Sequence, residues 1–397
     1  MSYLFNNNTV LDGASTDAFG RLRVSDAYTL FDSQLQNDKA PALWAESVVG
    51  TGASSTHLPN EAAVRMRVGT AVGEKVIRQS RIFTRYQPGK SHLVLMTGIM
   101  GTPKAGVRQR IGYFDDTNGL FFECKNGTLS IVKRTSTSGS PVDIGVSQSN
   151  WNIDKLDGNG KSRIALDITK TLIFIIDFQW LGVGRVRMGF VINGDIIYCH
   201  EFLHANAMTE VYISHANLPC RYEIENIAAS ASYTDMKQIC ANVSSEGGFD
   251  PRGYLRHDGL TTPKNIGTTM IPIFSVRPKA LYKGTWFEPT NYQFINTSNS
   301  FVYYQVLLSP TLTGANWRDA QSTNFSEVDS SATTFTGGVV LFGGYLNSKD
   351  NYISDLTNNI PVIGTNLDGS RDHITVAMQS ISGSANVLCS INWKEVR

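Results

Sequence analysis

TLIFIIDFQWLGVGRVRMGFVINGDIIYCHEF, residues 171–202, holds three short runs of alternating side chains separated by two turns. Phe174, Ile176, Phe178 and Trp180 fall on one side of an extended chain and Ile175, Asp177 and Gln179 on the other. That period of two marks a strand with one face more buried than the other. Leu181-Gly182-Val183-Gly184 stops it. Val186, Met188, Phe190 and Ile192 then share a face, while Arg185 and Arg187 point the opposite way, toward solvent or a charged partner. Asn193-Gly194 supplies a tight hairpin, because both residue types tolerate positive φ, and Ile196 to Phe202 is the return strand. Three antiparallel strands make a meander whose apolar face must be covered by a second sheet, so the spacing predicts a sandwich.

Upstream, Val76 to Tyr86, His92 to Ile99, Gln109 to Phe114, Leu120 to Cys124 and Thr128 to Arg134 read as further strands. Turns at Gln87-Pro88-Gly89, Pro103-Lys104-Ala105-Gly106, Asp115 to Gly119 and Asn126-Gly127 separate them, a rhythm of roughly 8–12 residues that suits a sandwich. These strands place a first domain at residues 61–230. Over residues 231–270 the alternation weakens, and Gly247-Gly248, Asp250-Pro251-Arg252-Gly253 and Thr262-Pro263 predict a linker. Residues 271–397 form a second β-sandwich. It ends in an expected hairpin, with Ile374, Val376 and Met378 before Ser382-Gly383-Ser384 and with Val387, Cys389, Ile391 and Trp393 after it. Residues 1–60 carry Asn6-Asn7-Asn8 and a short amphipathic piece from Asp17 to Phe31, too little apolar pattern for a core. They read as an extended arm that orders against something else, or as a plain leading strand of the first domain.

The chain has 397 residues, 35 basic against 34 acidic, and 17% charged residues, against roughly 25% in typical domains. Near neutrality excludes the concentrated basic surface a nucleic-acid binder needs. The 41% hydrophobic content suffices for two cores. MSYLFNNNTV has no basic region followed by an apolar one, and no apolar run approaches the roughly 20 residues that span a bilayer. The expectation is therefore a protein made in the cytoplasm, with no membrane partner. Cys124, Cys199, Cys220, Cys240 and Cys389 lie far apart without a C-x-x-C pair, as buried free thiols would.

His200-Glu201-Phe202-Leu203-His204 matches the H-E-x-x-H pattern of zinc hydrolases, which needs a helix to bring both imidazoles to one ion. Here the motif continues a strand, where about 3.3 Å per residue sets the two histidines roughly 13 Å apart. The longer form of the motif fails as well, since Ala207 and Glu210 stand where Gly and a third His are required. Gly101 to Gly106 opens like a phosphate loop, but Val107 and Arg108 replace its Lys and Ser or Thr. Asp154, Asp157 and Asn159 lack the closing Glu of a calcium loop. Neither a metal nor a cofactor is expected, and no nucleophile elbow or dinucleotide fingerprint occurs. Carboxylate pairs for glycoside hydrolysis converge from distant strands and leave no spacing to read. Arg78, Arg81 and Arg85 make a basic stretch that reads as a solvated or carboxylate-paired face rather than an anion site.

Ser15-Thr16-Asp17-Ala18-Phe19-Gly20-Arg21-Leu22-Arg23-Val24-Ser25, followed by Tyr28 to Ser33, resembles the N-terminal segment of structural proteins from tailed-bacteriophage virions. Arg78-Gln79-Ser80-Arg81 through Tyr86-Gln87-Pro88-Gly89-Lys90-Ser91 recurs in the same group, and Asn392-Trp393-Lys394-Glu395 is similar to the endings of such proteins. The first domain further resembles the concanavalin or laminin-G type of jelly-roll sandwich, a fold that often binds sugars or other proteins. The resemblance implies a non-enzymatic virion component, such as a capsid decoration or attachment protein. Its partners would be other capsid, neck or tail proteins and copies of itself, with a trimer as the working expectation. A tail or fibre protein that grips host surface glycans is the alternative. On this reading Phe19, Leu22, Val24, Leu30 and Phe31 anchor the arm on a partner, and Arg21 and Arg23 pair with the partner's carboxylates. Removing residues 1–40 would then leave a folded protein that no longer joins particles.

Overall fold

The computed structural model describes residues 15–248, 253–281, 285–320, 325–355 and 363–396. The protein is all-β; helical structure among the described residues is limited to single 3-10 turns at Pro59–Glu61 and Gln148–Asn150. The chain divides into two units, Met1–Asp250 and Pro251–Arg397.

In the first unit Leu172–Phe178, Val186–Ile192 and Asp195–Phe202 pair in antiparallel succession. The last turn lies at Asn193 and Gly194, both with positive φ. This meander flanks an eight-stranded sheet that continues through His92–Ile99, Thr234–Glu246, Ala63–Val68 and Ser54–Leu58, with Ala27–Ser33 added onto Thr234–Glu246. The second sheet has seven strands in the order Val142–Ser147, Thr128–Thr135, Gly119–Lys125, Val107–Phe114, Cys220–Asn226, Lys75–Ser80 and Trp44–Val49. Other neighbours, such as His92–Ile99 beside Thr234–Glu246 and Val107–Phe114 beside Cys220–Asn226, come from distant parts of the chain, which crosses between the sheets as a jelly roll does. Phe174, Ile176, Met188 and Phe190 of one sheet and Ile111, Phe122, Tyr222 and Ile224 of the other are fully buried between them. Each such side chain contributes about 1.5–3 kcal/mol by leaving water.

Two expectations about boundaries are corrected here. Residues 231–270 are not a linker: Thr234–Glu246 is a thirteen-residue strand inside the first sheet, and Gly253–Gly259 already belongs to the second unit. The alternation is weak there because a register shift between Gln238 and Cys240 breaks the period of two. Thr234 and Gln238 also occupy buried positions where an apolar residue would have signalled a strand. The described part of residues 1–60 is not a separate arm either. Ala27–Ser33, Trp44–Val49 and Ser54–Leu58 are strands of the sandwich, so the alternative reading as leading strands is the one the fold adopts. Residues 1–14 of the expected arm lie outside the described residues.

The second unit is built on two main sheets, with a small two-stranded one of Thr311–Thr313 and Thr334–Thr336 beside them. One orders Gly253–Gly259, Ala385–Val396, Trp286–Asn296 and Asn351–Asp355, with Lys264–Ile266 beside Ala385–Val396. The other orders Arg318–Asp319, Ser326–Asp329, Ile271–Pro278, Ile374–Ser380, Val302–Leu308 and Val339–Leu346. Ile374–Ser380 and Ala385–Val396 are therefore not a hydrogen-bonded hairpin, as their spacing suggested, but lie in different sheets. Ile374, Val376 and Met378 from one strand and Val387, Cys389, Ile391 and Trp393 from the other enter the same core, and a turn that arches between sheets satisfies both apolar faces.

Candidate functional site

Residues 15–25 form a closed turn whose centre is Asp17. One oxygen of its carboxylate accepts the Phe19 and Arg21 amides at 2.9 Å, and the other accepts Nε and Nη2 of Arg21 at 2.9 and 2.7 Å. Gly20 takes φ 76°, the left-handed value this turn requires. The turn rests on the outer face of the first sheet. Arg21 Nη1 donates to the Gly89 carbonyl at 3.2 Å, and the Ala18 amide donates to Ser91 Oγ at 3.3 Å. Segments 15–25 and 86–91, far apart in sequence, thus meet in one contact.

Beneath the turn lies Asp177, which is fully buried. Its carboxylate accepts from Ser91 Oγ at 2.9 Å, Tyr198 Oη at 3.0 Å, Arg187 Nη2 at 2.5 Å and Arg23 Nη2 at 2.8 Å. Arg23 also pairs with Glu246, and Arg187 also donates to the Thr16 carbonyl at 2.6 Å. Two guanidinium groups and two carboxylates make a neutral quartet, which is how four charges can leave water together. Burial alone would lower the pKa of Arg23; Asp177 and Glu246 outweigh it and hold the guanidinium above its ordinary value.

Most of the expected arm anchors are thereby engaged within the chain itself. Phe31 is a core residue of the first unit and Leu30 packs against that core. Arg23 pairs with Asp177 and Glu246, and Arg21 with Asp17, so neither waits for a partner's carboxylate. Phe19 is half-buried and lies against the Arg21 guanidinium at 4.5 Å. Leu22 and Val24 alone keep the exposure expected of anchors, at 55% and 86%. The physical reason is the outer face of the first sheet: Asp177 and Arg187 are opposed across adjacent strands there and need a cover that supplies hydrogen bonds. Asp177, Ser91, Tyr198 and Glu246 were not among the sequence-derived candidates. A lone acid in the apolar run LIFIIDF was the available signal, since a carboxylate in such a strand must find a partner.

The outer face of the second sheet carries a second set of charges. Glu223 is buried between Arg221 Nη2 at 2.8 Å and Arg110 Nη2 at 2.5 Å. Burial pushes its carboxyl up, but Arg221, Arg110 and Lys75 outweigh this and hold it at about 2. Glu225 pairs with Arg108. Burial raises the pKa of Glu123 on the same sheet. Arg110 stands between it and Glu223 in cross-strand register. Of the expected basic stretch, Arg78 is buried and carboxylate-paired, reaching Glu46 at 2.6 Å, while Arg81 Nε donates to the Pro41 carbonyl at 2.8 Å.

His200 lies on the strand Asp195–Phe202 and accepts the Asn152 amide on Nδ1 at 3.3 Å. His204 stacks on Tyr212 at 4.1 Å, with Nδ1 donating to the Gly184 carbonyl at 2.6 Å and Nε2 at 3.0 Å from Lys133 Nζ. Burial lowers both imidazoles to about 4. Asp154 spends its carboxylate on the amides of Leu156 and Ser162, at 2.9 and 2.6 Å. Among the described residues no three His, Cys, Asp or Glu side chains gather as a metal site. Cys124, Cys199, Cys220 and Cys389 are buried, whereas Cys240, beside the register shift, is exposed.

No family model matches the chain, and no curated protein matches it. Among solved structures, a glycoside hydrolase family protein from Mycobacterium thermorestibile is similar at 11% identity, over 54% of this chain and 99% of that one, with a TM-score of 0.39. A legume lectin-like domain from Entamoeba histolytica is similar at 11% identity over 55% and 98%, with a TM-score of 0.33. A glycosyl hydrolase family protein from Mycobacterium fortuitum is similar at 10% identity over 54% and 99%, with a TM-score of 0.35. At these scores the likenesses carry no argument about what the chain does.

Proposed function

We propose that the protein is a non-enzymatic structural component of a tailed-bacteriophage virion, a capsid-decoration or attachment part that works through the surfaces it presents. The observation that carries this reading is the contact between segments 15–25 and 86–91. The two phrases that resemble virion proteins are partners in one hydrogen-bonded structure, through Arg21 with Gly89 and Ala18 with Ser91. A shared signature of that kind describes a common way of building the sandwich. On the second sheet Glu223 is held ionised and enclosed by arginines, so this carboxylate cannot serve as a general acid near neutral pH.

Docking then uses the exposed rim of the covering turn, Leu22 and Val24, in place of a free arm. The test is incorporation of a Leu22→Asp, Val24→Asp variant into particles during infection. Loss of incorporation with unchanged thermal stability is the expected result. Full incorporation would remove the turn from the docking surface, and absence of the unmodified chain from particles would remove the virion reading itself.

One observation favours the second reading, recognition of host glycans by a tail or fibre protein. A cleft of about 430 Å³ is lined by polar Thr128, Ser147, Gln148, Asp167 and Thr169 together with apolar Leu129, Leu166 and Ile168. A mixed polar and apolar lining suits a saccharide ring. Glycan-array binding that is lost in Asp167→Ala would favour this reading over decoration.

A further inference from the structure

We propose that the protein binds a calcium ion at Glu74, on the edge of the first unit where the chain crosses between its two sheets. Two crossings lie against each other there. Residues 50–53 carry the chain from Trp44–Val49 to Ser54–Leu58, and residues 69–74 carry it from Ala63–Val68 back to Lys75–Ser80. Glu74 ends the second crossing and reaches into the first, where its Oε1 accepts the Gly52 amide at 2.6 Å. A Cβ on Gly52 would fall 2.4 Å from Oε1, one on Gly69 2.7 Å from Oε2 and one on Gly50 2.6 Å from Cγ. Three positions without side chains thus form the cradle in which the carboxylate sits.

Glu74 is 4% exposed, its Oε2 has no hydrogen bond, and no basic side chain pairs with it among the described residues. Other buried acids of the chain are compensated from within. Asp17, Asp177, Glu223 and Glu395 each meet an arginine, and Asp154 and Asp329 spend both oxygens on backbone amides. A buried carboxylate is either paired or coordinates a metal, and Glu74 has no pair. A second orphan oxygen belongs to the same place. Asn226 is fully buried, and its backbone amide donates to the Glu74 carbonyl at 2.8 Å. Its Nδ2 donates to the Gly69 and Ala71 carbonyls at 3.0 and 3.1 Å, which fixes the side-chain amide and leaves Oδ1 without a partner. Both side chains therefore meet at Gly69.

The available donors are all hard oxygens: one carboxylate, one side-chain amide and the carbonyls of two turns. Zinc prefers nitrogen and sulfur. Magnesium demands a near-ideal octahedron and gives up water reluctantly, whereas calcium takes roughly six to eight oxygens in flexible geometry and accepts amide carbonyls, backbone carbonyls and water among them. A site of this kind needs no gathering of three acids or histidines. With a single carboxylate its affinity falls at the weak end of the calcium range, a Kd of about 10⁻⁴–10⁻³ M. The bound ion supplies the charge that Glu74 lacks and ties the two crossings to each other. Binding there involves neither the turn at 15–25 nor the cleft at Asp167, so the virion reading stands or falls separately.

The experiment titrates calcium calorimetrically into the purified full chain after treatment with a chelator, and follows thermal unfolding in chelator and in about 10 mM calcium. The unmodified protein should take up one ion per chain and melt about 3 °C higher or more with calcium. Hydrogen exchange should slow at residues 50–53 and 69–74. Magnesium at the same concentration and potassium at the same ionic strength should do less. Glu74→Gln keeps the volume and an acceptor for the Gly52 amide. It should lose the heat of binding and the calcium shift, yet melt no lower than the unmodified chain in chelator, because it removes an unpaired buried charge. No calcium uptake by the unmodified chain, an equal response to potassium, an unchanged calcium response in Glu74→Gln, or protection confined to other segments would each overturn the proposal. So would a Glu74→Gln chain that melts well below the unmodified one in chelator, since the carboxylate would then be satisfied without a metal.

Discussion

Replacing Asp177 with Asn tests the clamp that holds residues 15–25 to the first sheet. The substitution keeps the volume and removes the charge that faces Arg23 at 2.8 Å and Arg187 at 2.5 Å. Arg187 is about as buried as any residue in the protein, so it cannot turn to water for compensation. Removing one partner of a buried ion pair typically costs about 3–5 kcal/mol. For a unit of this size, roughly 2–4 °C per kcal/mol corresponds to a fall of about 10 °C in its melting temperature. Calorimetry would read that fall. Hydrogen exchange would locate it, with faster exchange at the amides of Phe19, Arg21 and Arg23 because the turn loses its floor. A double cycle with Arg23→Gln should show coupling above about 1 kcal/mol, since the two groups share one hydrogen bond and one charge pair. A melting change below about 2 °C, with unchanged exchange at residues 17–23, would refute the idea that the quartet fastens the segment.

Acid should destabilise the first unit in two stages. His92, lowered by burial to about 3, and His200 and His204, at about 4, stay neutral in the folded chain while the unfolded chain binds protons near 6.5. Stability is therefore full above that value and is lost as pH falls from about 6.5 toward 4, by up to about 3 kcal/mol for each of the latter two; a flat denaturation midpoint over this window would contradict it. Glu223 acts lower: its depressed pKa gives stability that is present above about 4.5 and is lost as pH falls through about 2. Glu223→Gln at neutral pH should cost about 3–5 kcal/mol, measured by urea unfolding, because buried Arg110 loses its close counter-charge and buried Arg221 keeps only the exposed Asp116. Trp393→Ala should cost the second unit about 3–5 kcal/mol in the same assay, since the indole is wholly enclosed.

Where one residue in two pointed inward without interruption, the strands were legible: residues 171–202 contain their meander and its Asn193-Gly194 turn in plain alternation. Thr234–Glu246 was not, because its register shift and its buried Thr234 and Gln238 erase that period. The C-terminal strands were legible as strands but not as neighbours. Alternation tells which face is apolar, and a hairpin and an arch between sheets share that pattern. The charged quartet shows the same limit. Arg187 could be read as needing a charged partner, yet its partners lie ten residues away at Asp177 and, through Asp177, at Arg23 and Glu246, and only the packing of four segments brings them together. Arg23 and Phe31 look like arm anchors in sequence because a polar-apolar mixture with few core residues reads the same whether it covers its own sheet or another protein's.

A cryo-EM map of intact particles of the tailed phage that the proposed function calls for tests the central claim most directly. The account predicts density for the two-sheet first unit at symmetry-related sites, with Leu22 and Val24 against a neighbouring virion protein. Particles in which no density accommodates the chain, at any position from capsid to tail, would contradict it.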